Sequence, residues 1–183
     1  MVLEMLSEEL TLTSQPHASL VRLSDLMAIT TGHPGIAIGL IDGPVDGRHR
    51  ELAVRNVRAI AGGAHACDAS VSAACEHGTL VAGVLVSKRG SAAPAICPDC
   101  TLLVRPIFFE SPGHHGELPS ATQTELAEAI IETVDAGARV INLSIGVACP
   151  SSAGARRVEA AVGRKAHAER LLFRVTAWLE GGL

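Results

Sequence analysis

Three features of this 183-residue chain predict an α/β fold, with a mainly parallel sheet and helices on both faces. The run Ile36-Ala37-Ile38-Gly39-Leu40-Ile41 is almost wholly apolar, and a strand without polar alternation belongs between two covering layers, as parallel strands do. Ser120–Ala136 repeats Leu126, Ile130, Ile131 and Val134 at helical spacing, and Arg139–Leu143 follows as a strand. Strand, helix and strand with short joints make a βαβ unit. Aromatic residues are only 2% of the chain and Tyr is absent, so the core is built from Ala, Val, Ile and Leu, which suits helices packed closely on a sheet.

The elements follow in chain order. Ser19–Met27 reads as a short helix, because Leu20, Leu23 and Met27 recur on one face. Thr30 to Gly35 breaks it with Gly and Pro. The first strand then runs to Ile41, with Asp42 at its carboxyl end before Gly43-Pro44. A brief strand is expected at Asn56–Ala61. Gly78–Ser87 is small and apolar throughout and reads as a buried helix starting beside His77. Thr101–Phe108 is the next strand, although Pro106 offers no ladder donor. Glu110–Pro119 is a loop, and Gly137 stands where a helix C-terminal cap belongs.

From Pro150 the character changes. Arg156, Arg157, Arg164, Lys165, Arg170 and Arg174 outnumber Glu159, Glu169 and Glu180, in a chain whose net charge is −4. Leu171, Val175, Trp178 and Leu179 lie at helical spacing, so a basic helical tail is expected. The organisation expected is a helical lead-in over 1–30, a main domain over 31–150 and this tail over 151–183.

Composition excludes several classes. At 48% hydrophobic and 19% charged the chain is globular. Its net charge gives no reason to expect nucleic acid. No stretch reaches the ~18 apolar residues of a membrane span. Met1–Leu12 carries Glu4, Glu8 and Glu9 in place of a basic, then apolar, secretory signal, so the cytoplasm is the expected location. Five cysteines, an odd count, argue against a secreted disulfide framework.

Two residues suggest catalysis. Hydrolysis by a serine needs a hydroxyl, an imidazole to take its proton, and a buried carboxylate to fix the imidazole's tautomer. Asp42, at the end of a buried strand, suits the carboxylate role, and His77, heading a Gly-rich helix, suits the base. Taken singly, Asp42 also reads as a turn residue and His77 as a capping or core histidine.

Ile38-Gly39-Leu40-Ile41-Asp42-Gly43 resembles the Asp segment of the subtilisin-like (S8) serine peptidases. His77-Gly78-Thr79-Leu80-Val81-Ala82-Gly83 resembles their His segment, and Arg139 to Gly146 the strand that lines their substrate cleft. Ala93-Pro94 followed by Thr101–Phe108 resembles the strand after the His helix. The four segments stand in the family's order over about residues 30–150. Asp42-Gly43-Pro44-Val45-Asp46 and the stretch from Ile96 to Phe108 further resemble subtilases of cyanobactin-type peptide maturation. The resemblance implies serine endopeptidase action on a peptide or protein, with a precursor peptide of a modified natural product as one substrate, and no cofactor. It also implies that Asp42 orients His77, that His77 acts as base and then acid, and that Ser144, Ile145 and Gly146 offer backbone groups to an extended substrate.

The sequence departs from the family in one respect. The Gly-Thr-Ser segment that carries the nucleophile and the Asn loop that binds the oxyanion have no counterpart. Ser151 and Ser152 read as helix N-caps. A frameshifted gene, a fragment of a larger enzyme and a catalytically inactive, peptide-binding pseudoprotease all fit, and the shift in charge after Pro150 favours the first. An incomplete sheet would leave an open edge and an uncovered apolar face.

Other motifs take bland readings. Cys97-Pro98-Asp99-Cys100 reads as a local disulfide or a pair of free buried thiols; zinc would need Cys67 and Cys75 as well. His114-His115 reads as a solvated loop. Asp46 and Asp68 form no oxygen-rich cluster for the calcium that many subtilases bind, so no metal is expected.

Overall fold

A computed structural model describes residues 23–52, 56–60, 67, 72–90, 95–109, 120–144, 151–169 and 172–175. Its element order is α1 (Leu23–Ile29), β1 (Ala37–Asp42), β2 (Val57–Ala59), α2 (Ala73–Val86), β3 (Thr101–Pro106), α3 (Gln123–Asp135), β4 (Val140–Leu143), α4 (Ser152–Glu169) and β5 (Leu172–Val175). The five strands are all parallel, in the order β2-β3-β1-β4-β5. β1 is therefore central, which explains its unbroken apolar sequence: Leu40 and Ile41, on opposite faces, are both fully buried.

Alternation along the strands sorts the core into two halves. Ile38, Leu40, Leu102 and Val104 pack with Ala82 and Val86 of α2. Ile41, Leu103, Ile141 and Leu143 pack with Leu126, Ile130 and Val134 of α3 and with Ala161 of α4. The sheet is thus the middle of three layers, as expected. Gly39 lets α3 come close, because a Cβ there would stand 2.2 Å from Thr133 Cγ2.

α3 is bounded as its sequence dictates. Thr122 and Glu125 form a reciprocal capping box, and Gly137, with φ +98°, ends the turn that follows. Pro106 is tolerated because it is the last residue of β3, paired with Asp42 at the sheet edge. The βαβ unit also skips a place: β3 and β4 are not neighbours but flank β1.

Two expectations need correction. α2 begins at Ala73 and not at Gly78, because the Ser72 hydroxyl caps it by accepting the Cys75 N–H at 3.0 Å. The tail is not helical throughout: Leu172–Val175 lies beside β4, Val140 opposite Leu172 and Leu143 opposite Val175. Leu172, Phe173 and Val175 suit a strand, and the parallel edge of β4 supplies ladder partners that helical spacing cannot reveal. The stretches 1–22, 110–119 and 176–183 lie outside the described residues. No helix among the described residues is long and apolar enough to cross a membrane.

Candidate active site

The carboxyl ends of β1, β3 and β4 lie on one edge of the sheet, with β1 between the other two. After β1 the chain passes through β2 to α2 on one face, whereas after β4 it passes to α4 on the other. Adjacent strands that diverge in this way leave a crevice at their carboxyl ends, where open α/β sheets bind ligands. Asp42 ends β1 beside it. Ser144 follows Leu143, the partner of Ile41, and so lies on the same edge.

Asp42 and His77 come together there. His77 Nδ1 lies 2.8 Å from Asp42 Oδ1. The Asp42 side chain is 2% exposed and that of His77 49% exposed, so the imidazole bridges a buried carboxylate and solvent. Asp42 Oδ1 also accepts the Gly43 N–H at 2.6 Å, and Oδ2 is buried with no partner among the described residues. The main chain fixes the strand end as well, since the Asp42 carbonyl accepts the Ile107 N–H at 2.8 Å.

The contact depends on an approach that side chains would prevent. A Cβ on Gly78 would stand 2.4 Å from the Pro44 carbonyl oxygen and 2.6 Å from that of Gly43, and a Cβ on Gly43 2.0 Å from the Ala74 oxygen. These neighbours are backbone and cannot yield cheaply. The first two turns of α2 thus rest directly on the loop after β1, which sets His77, the fifth helical residue, over Asp42. Thr79 adds a tie by accepting the Asp46 N–H on its hydroxyl at 2.9 Å. The Asp-Gly and His-Gly-Thr motifs already held these signals; what they lacked was that Gly43 meets the first turn of α2 and Gly78 the loop after β1.

Ser144 is half-buried and accepts a hydrogen bond from Asn142 Nδ2 at 3.0 Å. Ile145 and Gly146 lie outside the described residues. Ser151 caps α4 by accepting the Gly154 N–H at 3.0 Å, and its hydroxyl donates to Gln123 Oε1 at 2.8 Å.

Among the described residues no three His, Cys, Asp or Glu side chains are placed to hold a metal. Asp46 instead accepts hydrogen bonds from the backbone N–H and the Nε of Arg48, and these hold its carboxyl below the ordinary 3.8. Cys67 and Cys75 are joined in a disulfide with Cα atoms 5.6 Å apart. That was not expected from the odd count, and it removes both as partners for Cys97 and Cys100, which are free thiols. Cys75 lies in the first turn of α2. Asp68, His114, His115 and Cys149 lie outside the described residues.

Residues 33–177 match the family described as the subtilase family, Peptidase_S8. The chain belongs to the subtilases. Its fold is similar to that of the prenylagaramide maturation protease PagA, at 25% identity and a TM-score of 0.66 over 84% of this chain and 49% of that one. A point mutant of the protease domain of PatA gives 26% and 0.66 over 81% and 52%. The nisin leader peptidase NisP from Lactococcus lactis shares the fold at 18% identity and a TM-score of 0.62, over 81% of this chain and 45% of that one. This subtilase chain thus spans about half the length of the structures it matches. No curated protein sequence matches it.

Proposed function

We propose that this chain contributes the carboxylate and the base of a serine endopeptidase, and that the nucleophile comes from residues beyond these 183. The observation that carries the reading is the 2.8 Å contact between His77 Nδ1 and a carboxylate buried at the sheet's carboxyl edge. In this reading Asp42 keeps the Nδ1–H tautomer and stabilises the imidazolium. His77 presents Nε2 to solvent, takes a proton from a serine hydroxyl, and returns it to the leaving amine. β4 is paired on both edges as far as Leu143, so a substrate strand has to pair beyond it, at Ser144, Ile145 and Gly146. Precursor peptides of modified natural products are the substrate class that the likeness to maturation proteases supports. The family match, which continues to residue 177, supports taking 33–177 as one domain that includes the basic segment.

Fluorogenic peptide assays test this division of labour. The purified chain is expected to hydrolyse at background, because loss of the nucleophile lowers a triad's rate by about 10⁶-fold. Cleavage that disappears in His77→Ala would place a nucleophile within these residues and overturn the proposal. Nitrogen NMR of the imidazole tests the other half: the Nδ1–H tautomer is expected to dominate, and to lose that dominance in Asp42→Ala. A second reading, peptide binding without cleavage, is favoured by the missing Gly-Thr-Ser segment. Translating the DNA downstream of codon 150 in all frames separates the two, since only a protease gene should encode an Asn loop followed by Gly-Thr-Ser.

A further inference from the structure

We propose that Cys97 and Cys100 form a dithiol site, distinct from Cys67–Cys75, that a low-molecular-weight disulfide closes reversibly into an intrachain disulfide. Both are free, on a turn closed by the Cys100 N–H donating to the Cys97 carbonyl at 3.0 Å. Their side chains converge on one point. A Cβ at Gly32, whose φ is +89°, would stand 2.5 Å from Cys100 Sγ and 3.2 Å from Cys97 Cβ. The turn is held from outside: the Thr31 carbonyl accepts the Asp99 N–H at 2.9 Å, and the Thr31 hydroxyl donates to Asp99 Oδ2 at 2.6 Å. Preorganised neighbouring thiols lose little freedom on closing.

The chemistry balances with glutathione disulfide as oxidant. Cys97 is half-buried and Cys100 is 3% exposed, so Cys97 attacks first. Its thiolate displaces one glutathione thiolate and forms a mixed disulfide. The Cys100 thiolate then attacks Cys97 Sγ and expels the second. Two electrons pass from the cysteine pair to the reagent, and the two thiol protons end on the two glutathiones. Burial, and then the neighbouring Cys100, push the Cys97 thiol up to about 12, against the opposing pull of the nearby Arg89 guanidinium. Closure is therefore slow at neutral pH and should quicken about tenfold per pH unit while thiolate is the minor species. Cys97 Sγ also donates to the Leu85 carbonyl at 3.3 Å. Closing the pair withdraws that donor from the last turn of α2, the helix that carries His77.

The test is to incubate the full chain, reduced and then exposed to excess glutathione disulfide, alkylate it, and map cysteines by peptide mass spectrometry. The peptide holding Cys97 and Cys100 is expected to lose both alkylation sites and two hydrogens, and to regain them with dithiothreitol. In Cys100→Ser the reaction is expected to stop at a glutathione adduct on Cys97. Overturning results would be two alkylatable thiols under conditions where Cys67–Cys75 re-forms, a lasting glutathione adduct in the wild type, or pairing of either cysteine with Cys149.

Discussion

α2 and α3 are nearly equal in length, 14 and 13 residues, and cover opposite faces of the same sheet, yet they are held by different means. α3 is amphipathic: Leu126, Ile130 and Val134 fill the core while Glu125, Glu128 and Asp135 face outward. α2 buries chiefly small residues, Ala74, Cys75, Gly78 and Ala82, and leaves Leu80 65% and Val84 50% exposed. A helix that fills a core can stand off from the sheet by the length of its side chains. A helix that must carry an imidazole to a strand's end has to bring its backbone in, and only small residues permit that. The helix that carries His77 is thus the one with the weaker sequence pattern.

The contrast can be broken most easily at its largest contact. Ile130→Ala in α3 is expected to cost about 2–5 kcal/mol in urea unfolding, the range for emptying a buried isoleucine site. Leu80→Ala in α2 should cost under ~0.5 kcal/mol, because that side chain already faces solvent. Equal losses would mean that α2 is also held by its large side chains.

A smaller change sharpens the other side. Gly78→Ala should gain helix propensity yet destabilise by about 1–3 kcal/mol, because the added methyl meets the Gly43 and Pro44 carbonyls. It should also move the imidazole off Asp42, read as loss of the Nδ1–H tautomer by NMR. An unchanged tautomer with full stability would show that the close approach is not what places His77.

The smallest effect belongs to the cap of α3. Thr122→Ala should cost about 1 kcal/mol near neutral pH. The Thr122 backbone N–H and then its hydroxyl hold the Glu125 carboxyl below the ordinary 4.5. A carboxyl depressed on folding stabilises the protein above its unfolded pKa, and that contribution is lost as pH falls through the folded value. The Tm gap between wild type and Thr122→Ala should therefore be steady above about pH 5 and narrow below 4.5. A gap that widens in acid would refute the capping account.

The sequence by itself determined what is written locally. A run apolar at every position must be covered on both faces, so β1 was legible as a buried strand with Asp42 at its end. A 3.6-residue stripe followed by glycine marked α3 and its cap, and the ordered Asp and His segments pointed to the subtilase family. Tertiary structure alone decided what depends on partners distant in the chain. Strand order and the pairing of Leu172–Val175 with β4 each follow from a surface that another segment supplies. The meeting of His77 with Asp42 is of this kind too. It requires Gly43 and Gly78 to touch across 35 positions, and a pattern of side chains says nothing about where two backbones without side chains will meet.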